Sequence, residues 1–300
     1  MGKRSVGQLV AAVLSLVWFC LLTIHTFAFT TFERVTIQNP QDKTSLTAFY
    51  AAPKREGPFP AVVLLHGCCG LGFGGGVRAH YSSWAEHLNR TGFAVLLIDS
   101  MGSRGFATTC GMRTARRVMY RYRPADAYAG LRYLQSIEEI AGDRVGLIGW
   151  SQGGGVALLT IVSKSIGRPA PPPEHDFKSA IAFYPAVCSD ALQSMPFTDV
   201  EPGTWSPIAP LLVLHGAMDN WTRVGSCKRF ANSAAARGEP VSMKIYPHAV
   251  HAFDAPNLKL QRRKGPVLGN GERPLIGTDY KARRDALKTV VETLIRDLGR

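Results

Sequence analysis

Charge is scarce in this chain: 19% of its 300 residues are Asp, Glu, Lys or Arg, against 46% apolar. That balance excludes disorder for most of the chain and leaves room for a sizeable core. Acidic residues are scarcer still, 22 against 35 basic ones, for a formal net charge of +13. The basic residues are nonetheless scattered, apart from short clusters such as Arg113, Arg116, Arg117 and Arg262, Arg263, Lys264. Such scatter reads as a solvated basic surface, so nucleic acid is not an expected partner. Internal repeats are lacking, and the 30 Gly and 19 Pro follow no collagen period, which excludes solenoids and fibres. No Cys-x-x-Cys pair argues for structural zinc or redox work. Beyond residue 33 no apolar run is long enough to cross a bilayer.

What is present begins with a leader. Lys3 and Arg4 precede a stretch from Ser5 to Phe32 without a single Asp, Glu, Lys or Arg, the layout of an export signal. Thr26-Phe27-Ala28 offers small residues at the minus-three and minus-one positions of a cleavage site, and the run is also long enough to stay as an anchor. Residues 1–32 are therefore expected to be a signal peptide or N-terminal membrane anchor. The remainder, 33–300, would lie in a periplasmic or extracellular space. There Cys68, Cys69, Cys110, Cys188 and Cys227 meet oxidising conditions in which disulfides persist, and their odd number leaves at least one thiol spare or paired between chains.

From about residue 33, short β-branched apolar runs alternate with longer amphipathic ones, as a mostly parallel sheet flanked by helices requires. Strands are expected at 34–38 and 45–51 as an edge hairpin, then at 61–65, 93–98, 144–149, 180–184, 211–214 and 241–246. Helices are expected at 81–90, 126–137, 154–163, 224–236 and 280–298. The segments 197–207 and 257–277 read as loops, the second long enough for a flap. No linker composition divides 33–300, so one α/β domain is expected.

Gly149-Trp150-Ser151-Gln152-Gly153 fits Gly-x-Ser-x-Gly, a strand-to-helix elbow that projects a serine hydroxyl from the carboxyl edge of a sheet. The motif alone is weak, but here an apolar strand precedes it and a glycine-rich apolar helix follows. A serine hydroxyl needs a base to take its proton and a third group to orient that base. Leu211–Asp219 places a carboxylate after one buried strand, and Ile245–His251 places an imidazole after the next. Ser151, Asp219 and His251 are thus the candidate triad, in the chain order of α/β-hydrolases. His248 competes with His251, but it follows Pro247 at the strand's end, where a turn is expected. His248 and His251 lack a third ligand at recognisable spacing, so no metal is expected. Backbone amides of Gln152 and of Cys68, with Cys69 as the fallback, are the candidate oxyanion donors.

The ordered set Leu65–Gly70, Asp99–Gly105, Gly149–Gly153, His215–Asp219 and Tyr246–Phe253 resembles the dienelactone hydrolase family of α/β-hydrolases, over roughly residues 45–300. The resemblance implies an α/β-hydrolase fold, no cofactor, and hydrolysis of a small ester or lactone with Ser151, Asp219 and His251 at the triad positions. Two departures stand out. Family enzymes that open dienelactone use a cysteine nucleophile and a glutamate in the oxyanion turn, where this chain has Ser151 and Gly67. They also bind the substrate carboxylate with arginines, one soon after the catalytic histidine, whereas His251 is followed by Ala-Phe-Asp-Ala. Arg104 and Trp221 are the expected substrate-binding residues, with bracing of its own loop as the alternative for Arg104; Trp221, Phe253 and the loop from Asn257 are candidates for the pocket wall or, equally, for ordinary core and cover. The fold brings the loops of Cys110 and of Cys68 or Cys69 together, so one of those two is Cys110's expected partner. A peptidase or acyltransferase on the same fold, or a non-catalytic binding protein on a hydrolase scaffold, are the competing expectations.

Overall fold

A computed structural model describes residues 31–72, 74–195 and 198–299. The expected leader at 1–32 therefore lies almost wholly outside the described residues. No helix among the described residues is long and apolar enough to cross a membrane.

Eight strands form one sheet: β1 (Glu33–Gln38), β2 (Ser45–Ala51), β3 (Phe59–Leu65), β4 (Ala94–Asp99), β5 (Ile140–Trp150), β6 (Ser179–Phe183), β7 (Leu211–Gly216) and β8 (Val241–Tyr246). Their spatial order is β1-β2-β4-β3-β5-β6-β7-β8. The first two pair antiparallel as a hairpin at the edge, β2 runs antiparallel to β4, and every later pairing is parallel. Every residue of β3 is buried, which explains its unbroken apolar run: a central strand covered on both faces has no polar side to alternate with.

The two faces draw on alternate residues. Ala61, Val63 and Leu65 join a core shared with α2 (Arg113–Gln135), α3 (Gln152–Ile161) and α4 (Val224–Ala236). Val62 and Leu64 join another with α1 (Ala79–Arg90) and α5 (Tyr280–Leu298). A three-layer helix–sheet–helix sandwich results. Along α5 the buried Ala282, Ala286, Val290, Leu294 and Leu298 recur every four residues, the stripe that a helix lays on a sheet. Its start is set by the Asp279 carboxylate, which accepts from the amides of Lys281 and Ala282 at 3.1 and 3.0 Å.

Two expectations need correction. The helix expected at 126–137 begins at Arg113, thirteen residues earlier, and carries Pro124 inside it. Its first turns hold five arginines among residues 113–123, so no apolar stripe announces them. The loop at 257–277 contains a short ladder of β9 (Gln261–Arg262) and β10 (Leu275–Ile276), and Ile276 bridges to His251. It is stitched to the site rather than hanging over it.

The chain leaves β3 for β4 on one side, and leaves the neighbouring β5 for β6 on the other. At such a reversal, the turns beyond the carboxyl ends of neighbouring strands diverge and leave a crevice. Here those are the turns starting at His66 and at Ser151.

Candidate active site

The elbow is built by close approach. A Cβ on Gly149 would lie 2.1 Å from the Gly153 carbonyl oxygen, and one on Gly153 would lie 2.0 Å from the Leu65 oxygen. Neither position admits a side chain. Between them Ser151 takes φ 54° and ψ −111°, a conformation costly for any L residue with a side chain. The reward is placement: the hydroxyl leaves the strand end pointing outward while α3 starts immediately behind it.

Asp219 and His251 arrive from the next strand ends. Ser151 Oγ–H donates to His251 Nε2 over 3.1 Å, and His251 Nδ1–H donates to Asp219 Oδ2 over 2.7 Å. All three side chains are buried. The Asp219 carboxylate also accepts from the amides of Trp221 and Thr222, at 2.7 and 3.0 Å, and from the Thr222 hydroxyl at 2.9 Å. Burial pushes its pKa up, but His251, His215 and the Thr222 amide outweigh that and hold it at about 2. The carboxylate is therefore ionised and fully partnered. His248, the rival base, is exposed.

The turn after β3 faces this row. Gly67 sits beside Ser151: a Cβ added to it would lie 3.5 Å from the serine Cβ, and its amide donates to the Tyr81 hydroxyl at 2.9 Å. Cys68 and Gln152 then line the same cavity as Ser151. The Gln152 N–H is the first of α3 and has no partner in the helical ladder. The ring of His66 is fully buried and, through that burial and the nearby Arg123 charge, titrates well below the usual histidine range, leaving it neutral.

Cys68 pairs with Cys110, and Cys188 pairs with Cys227. Cys69 is the thiol left over, its Sγ 3.3 Å from that of Cys110. Of the two partners expected for Cys110, the structure selects Cys68.

Two cavities meet at Ser151, each touching Cys68 and Trp221 as well. One, about 310 Å³, runs past Gln152, Val187 and Thr222. The other, about 270 Å³, runs past His251, Tyr184 and Leu258. The Trp221 ring lies 4.7 Å from that of His251, where a pocket residue was expected.

Two expected pocket residues lie elsewhere. Arg104 donates Nε to Asp42 at 2.8 Å and both terminal nitrogens to Asp126 at 2.9 and 2.8 Å. With its charge matched and its side chain buried, it braces its loop and lines neither cavity that meets at Ser151. Phe253 is wholly buried against Phe183, Tyr184 and Tyr246 and belongs to the core, not the pocket wall.

Two residues escape sequence reasoning. Asp254 is buried under the site: its Oδ2 accepts from the indoles of Trp84 and Trp150 at 2.7 Å each and contacts His80 Nε2 at 2.9 Å, while Oδ1 accepts from the Tyr184 hydroxyl at 2.6 Å. Trp150 precedes Ser151, and the Tyr184 ring lies 4.4 Å from that of His251, tilted 55° to it. Arg123, fully buried, donates to the His66 carbonyl at 2.7 Å and the Gln152 side-chain oxygen at 3.3 Å. It thus grips both turns that carry the candidate oxyanion amides, and burial lowers its pKa to about 10. The only sequence hint to either is an acid where the family resemblance expects an arginine after His251.

The sequence profile described as the dienelactone hydrolase family matches residues 46–297. The chain belongs to the dienelactone hydrolase family. Membership makes it a hydrolase. A curated relative from Methylorubrum extorquens, named "Putative carboxymethylenebutenolidase", is 23% identical over 225 residues, covering 73% of this chain and 72% of the relative. Among solved structures, a dienelactone hydrolase-like promiscuous phosphotriesterase from metagenomic libraries is similar at a TM-score of 0.60 and 20% identity, covering 90% of this chain and 99% of that one. Esterase 2 of Thermogutta terrifontis, phosphorylated by paraoxon, is similar at 0.59 and 17%, covering 90% and 95%. At these identities the two structures attest the family's fold.

Proposed function

We propose that this dienelactone hydrolase family member is an exported serine hydrolase that cleaves carboxylic esters or lactones through an acyl-enzyme on Ser151. The observation that carries the reading is the continuous relay from Ser151 Oγ through His251 to Asp219, at 3.1 and 2.7 Å. His251 Nε2 takes the hydroxyl proton as Oγ attacks the ester carbonyl. The amides of Gln152 and Cys68 hold the oxyanion, a contribution typically worth a hundred- to a thousandfold in rate per donor, as an order of magnitude. His251 then protonates the departing alcohol, and the same ring activates the water that clears the acyl group. Asp219, ionised down to about 2, stabilises the imidazolium and keeps Nδ1 protonated.

The two cavities divide the substrate. The alcohol must leave next to His251, which protonates it, so the cavity lined by His251, Tyr184 and Leu258 takes the leaving group. The cavity beyond Gln152, which His251 does not line, takes the acyl chain. Two disulfides fit an oxidising compartment and support export.

A fluorophosphonate probe tests the chemistry. Wild type is expected to label on Ser151, and Ser151→Ala and His251→Ala are expected not to. Folded wild type that resists labelling would refute the proposal and favour a binding protein. Turnover of p-nitrophenyl esters is expected to exceed that of peptide anilides; the reverse order would make the protein a peptidase.

A further inference from the structure

Two phenols, Tyr81 and Tyr184, line the cavity assigned to the leaving group. Tyr184 has spent its proton, its hydroxyl donating to Asp254 at 2.6 Å. Tyr81 has not. Its oxygen accepts from the Gly67 amide at 2.9 Å, and its own O–H meets no acceptor among the described residues. The residue is only 4% exposed, so bulk water offers little in place of a partner. Buried hydroxyls ordinarily find partners for their protons. An open donor on the wall of a reaction cavity points to an acceptor that arrives with the substrate.

The hydroxyl is held where such an acceptor would come. Tyr81 stands in the first turn of α1; its ring stacks on that of His80 with centroids 4.9 Å apart and meets the Trp150 ring edge-on at 5.6 Å. Trp150 is the residue before Ser151. A Cβ placed on Gly67 would lie 3.4 Å from the Tyr81 oxygen and 3.5 Å from the Ser151 Cβ, so the phenol and the nucleophile flank one point. Accepting from Gly67 polarises the O–H and makes it a stronger donor. Burial raises the phenol's pKa above its ordinary value, which keeps the proton in place at neutral pH. Tyr81 shares its cavity with His251, whereas Gln152, one of the two proposed oxyanion donors, lines the other. The open donor therefore stands on the alcohol's side of Ser151.

We propose that Tyr81 is a catalytic residue that hydrogen-bonds the alcohol oxygen of the ester as it departs, which equips the site for unactivated substrates, alkyl esters and lactones. When the tetrahedral intermediate collapses, the bond between its carbon and the alcohol oxygen breaks, and the electron pair moves to that oxygen. His251 Nε2 gives its proton to one lone pair. The Tyr81 hydroxyl donates a hydrogen bond to another and keeps its own proton, so it shares the charge that builds before transfer from His251 is complete. A departing alkoxide needs that help, and p-nitrophenolate, a stable anion, does not. This role rests on the ester-hydrolase reading and on its division of the two cavities.

The test compares p-nitrophenyl, phenyl and ethyl butyrates and γ-butyrolactone in wild type and Tyr81→Phe. The measured quantity is kcat/KM, which covers every step up to departure of the alcohol and leaves out deacylation. Tyr81→Phe keeps the ring and its packing. For ethyl butyrate and the lactone it is expected to lower kcat/KM about ten- to a hundredfold, as loss of a hydrogen bond to a charged oxygen implies, with phenyl butyrate affected less and p-nitrophenyl butyrate least. A merely structural role, holding the Gly67 amide, would lower all four alike. Equal falls across the series, or no fall, overturn the catalytic role while leaving the esterase intact, and so does a wild type confined to the p-nitrophenyl ester. Replacing Tyr81 by 3-fluorotyrosine gives a second reading that does not depend on the Phe variant folding: it keeps the acceptor for Gly67 and makes the hydroxyl a more acidic donor. Ethyl butyrate is then expected to gain relative to p-nitrophenyl butyrate, and an unchanged ratio overturns the role. Wild type that turns over none of the four substrates refutes the esterase reading, and this role falls with it.

Discussion

Replacing Asp254 tests whether the buried carboxylate beneath the site organises it. Four groups converge on it, the indoles of Trp84 and Trp150, the Tyr184 hydroxyl and His80. Burial pushes its pKa up, but the charge and hydrogen bond of His80 and the hydrogen bonds of Tyr184 and Trp150 outweigh that and hold it at about 2, against 3.8 for an ordinary aspartate. A folded pKa below the unfolded one means stability that is fully present above the unfolded value and lost as pH falls through the folded one. The gap between 3.8 and about 2 corresponds to about 2–3 kcal/mol at pH 7. Asp254→Asn keeps the shape but not the charge, so it should cost roughly that amount at pH 7, and the cost should shrink by about 1 kcal/mol by pH 3 as the wild-type carboxyl protonates in the unfolded chain. Asp254→Ala leaves two indole N–H groups and a phenol without an acceptor and should cost about 3–5 kcal/mol. Guanidinium unfolding with the disulfides intact, followed by tryptophan fluorescence between pH 7 and pH 3, measures both. Equal stability of wild type and Asp254→Asn at pH 7, or a difference that does not change with pH, would show that the carboxylate is not held ionised by this network.

Arg123→Met should lower kcat about ten- to a hundredfold with little change in KM, because it frees both turns that carry the proposed oxyanion donors without touching the pocket wall; burst kinetics with a p-nitrophenyl ester separate the two, and an unchanged kcat would remove Arg123 from the site's support. Gly153→Ala should yield no stable folded protein, since its Cβ would stand 2.0 Å from the Leu65 carbonyl, whereas Gly269→Ala, facing open space, should be recovered with stability within about 0.5 kcal/mol of wild type. Thermal melts of the two variants side by side check the contrast.

The parts of this molecule legible from sequence share one property, that their signal is local. The stripe of α5 and the unbroken apolar run of β3 announce themselves within a few residues, and both elements stand where the pattern placed them. Ser151, Asp219 and His251 could be proposed because each follows a strand of the parallel sheet, so sheet geometry alone brings their turns to one edge. Asp254 and Arg123 carry no such mark: they are charged residues whose burial is licensed only by partners far along the chain, Trp84 at 170 residues from Asp254 and His66 at 57 from Arg123. The partners of Arg104 are hidden for the same reason, its charge being matched by Asp42, 62 residues away, and by Asp126. The start of α2 was invisible because its organised face is cationic, and a period carried by arginine is not one that hydrophobicity reveals.

The turn after β3 is gripped at every residue by a different part of the fold. Arg123 of α2 holds the His66 carbonyl, Tyr81 of α1 takes the Gly67 amide, Cys110 is bonded to Cys68, and Arg78 donates to the Cys69 carbonyl at 3.0 Å. Stabilising an oxyanion by backbone amides is effective only where the amides need not reorganise as charge develops. A turn rich in glycine would otherwise be among the more mobile pieces of the chain, so the tethers offset a flexibility that the glycines themselves introduce. Two of the four, Cys110 just before α2 and Arg123 within it, connect the turn to one helix. The same rigid element therefore sets the turn relative to Ser151, since Arg123 also reaches the Gln152 side chain at 3.3 Å.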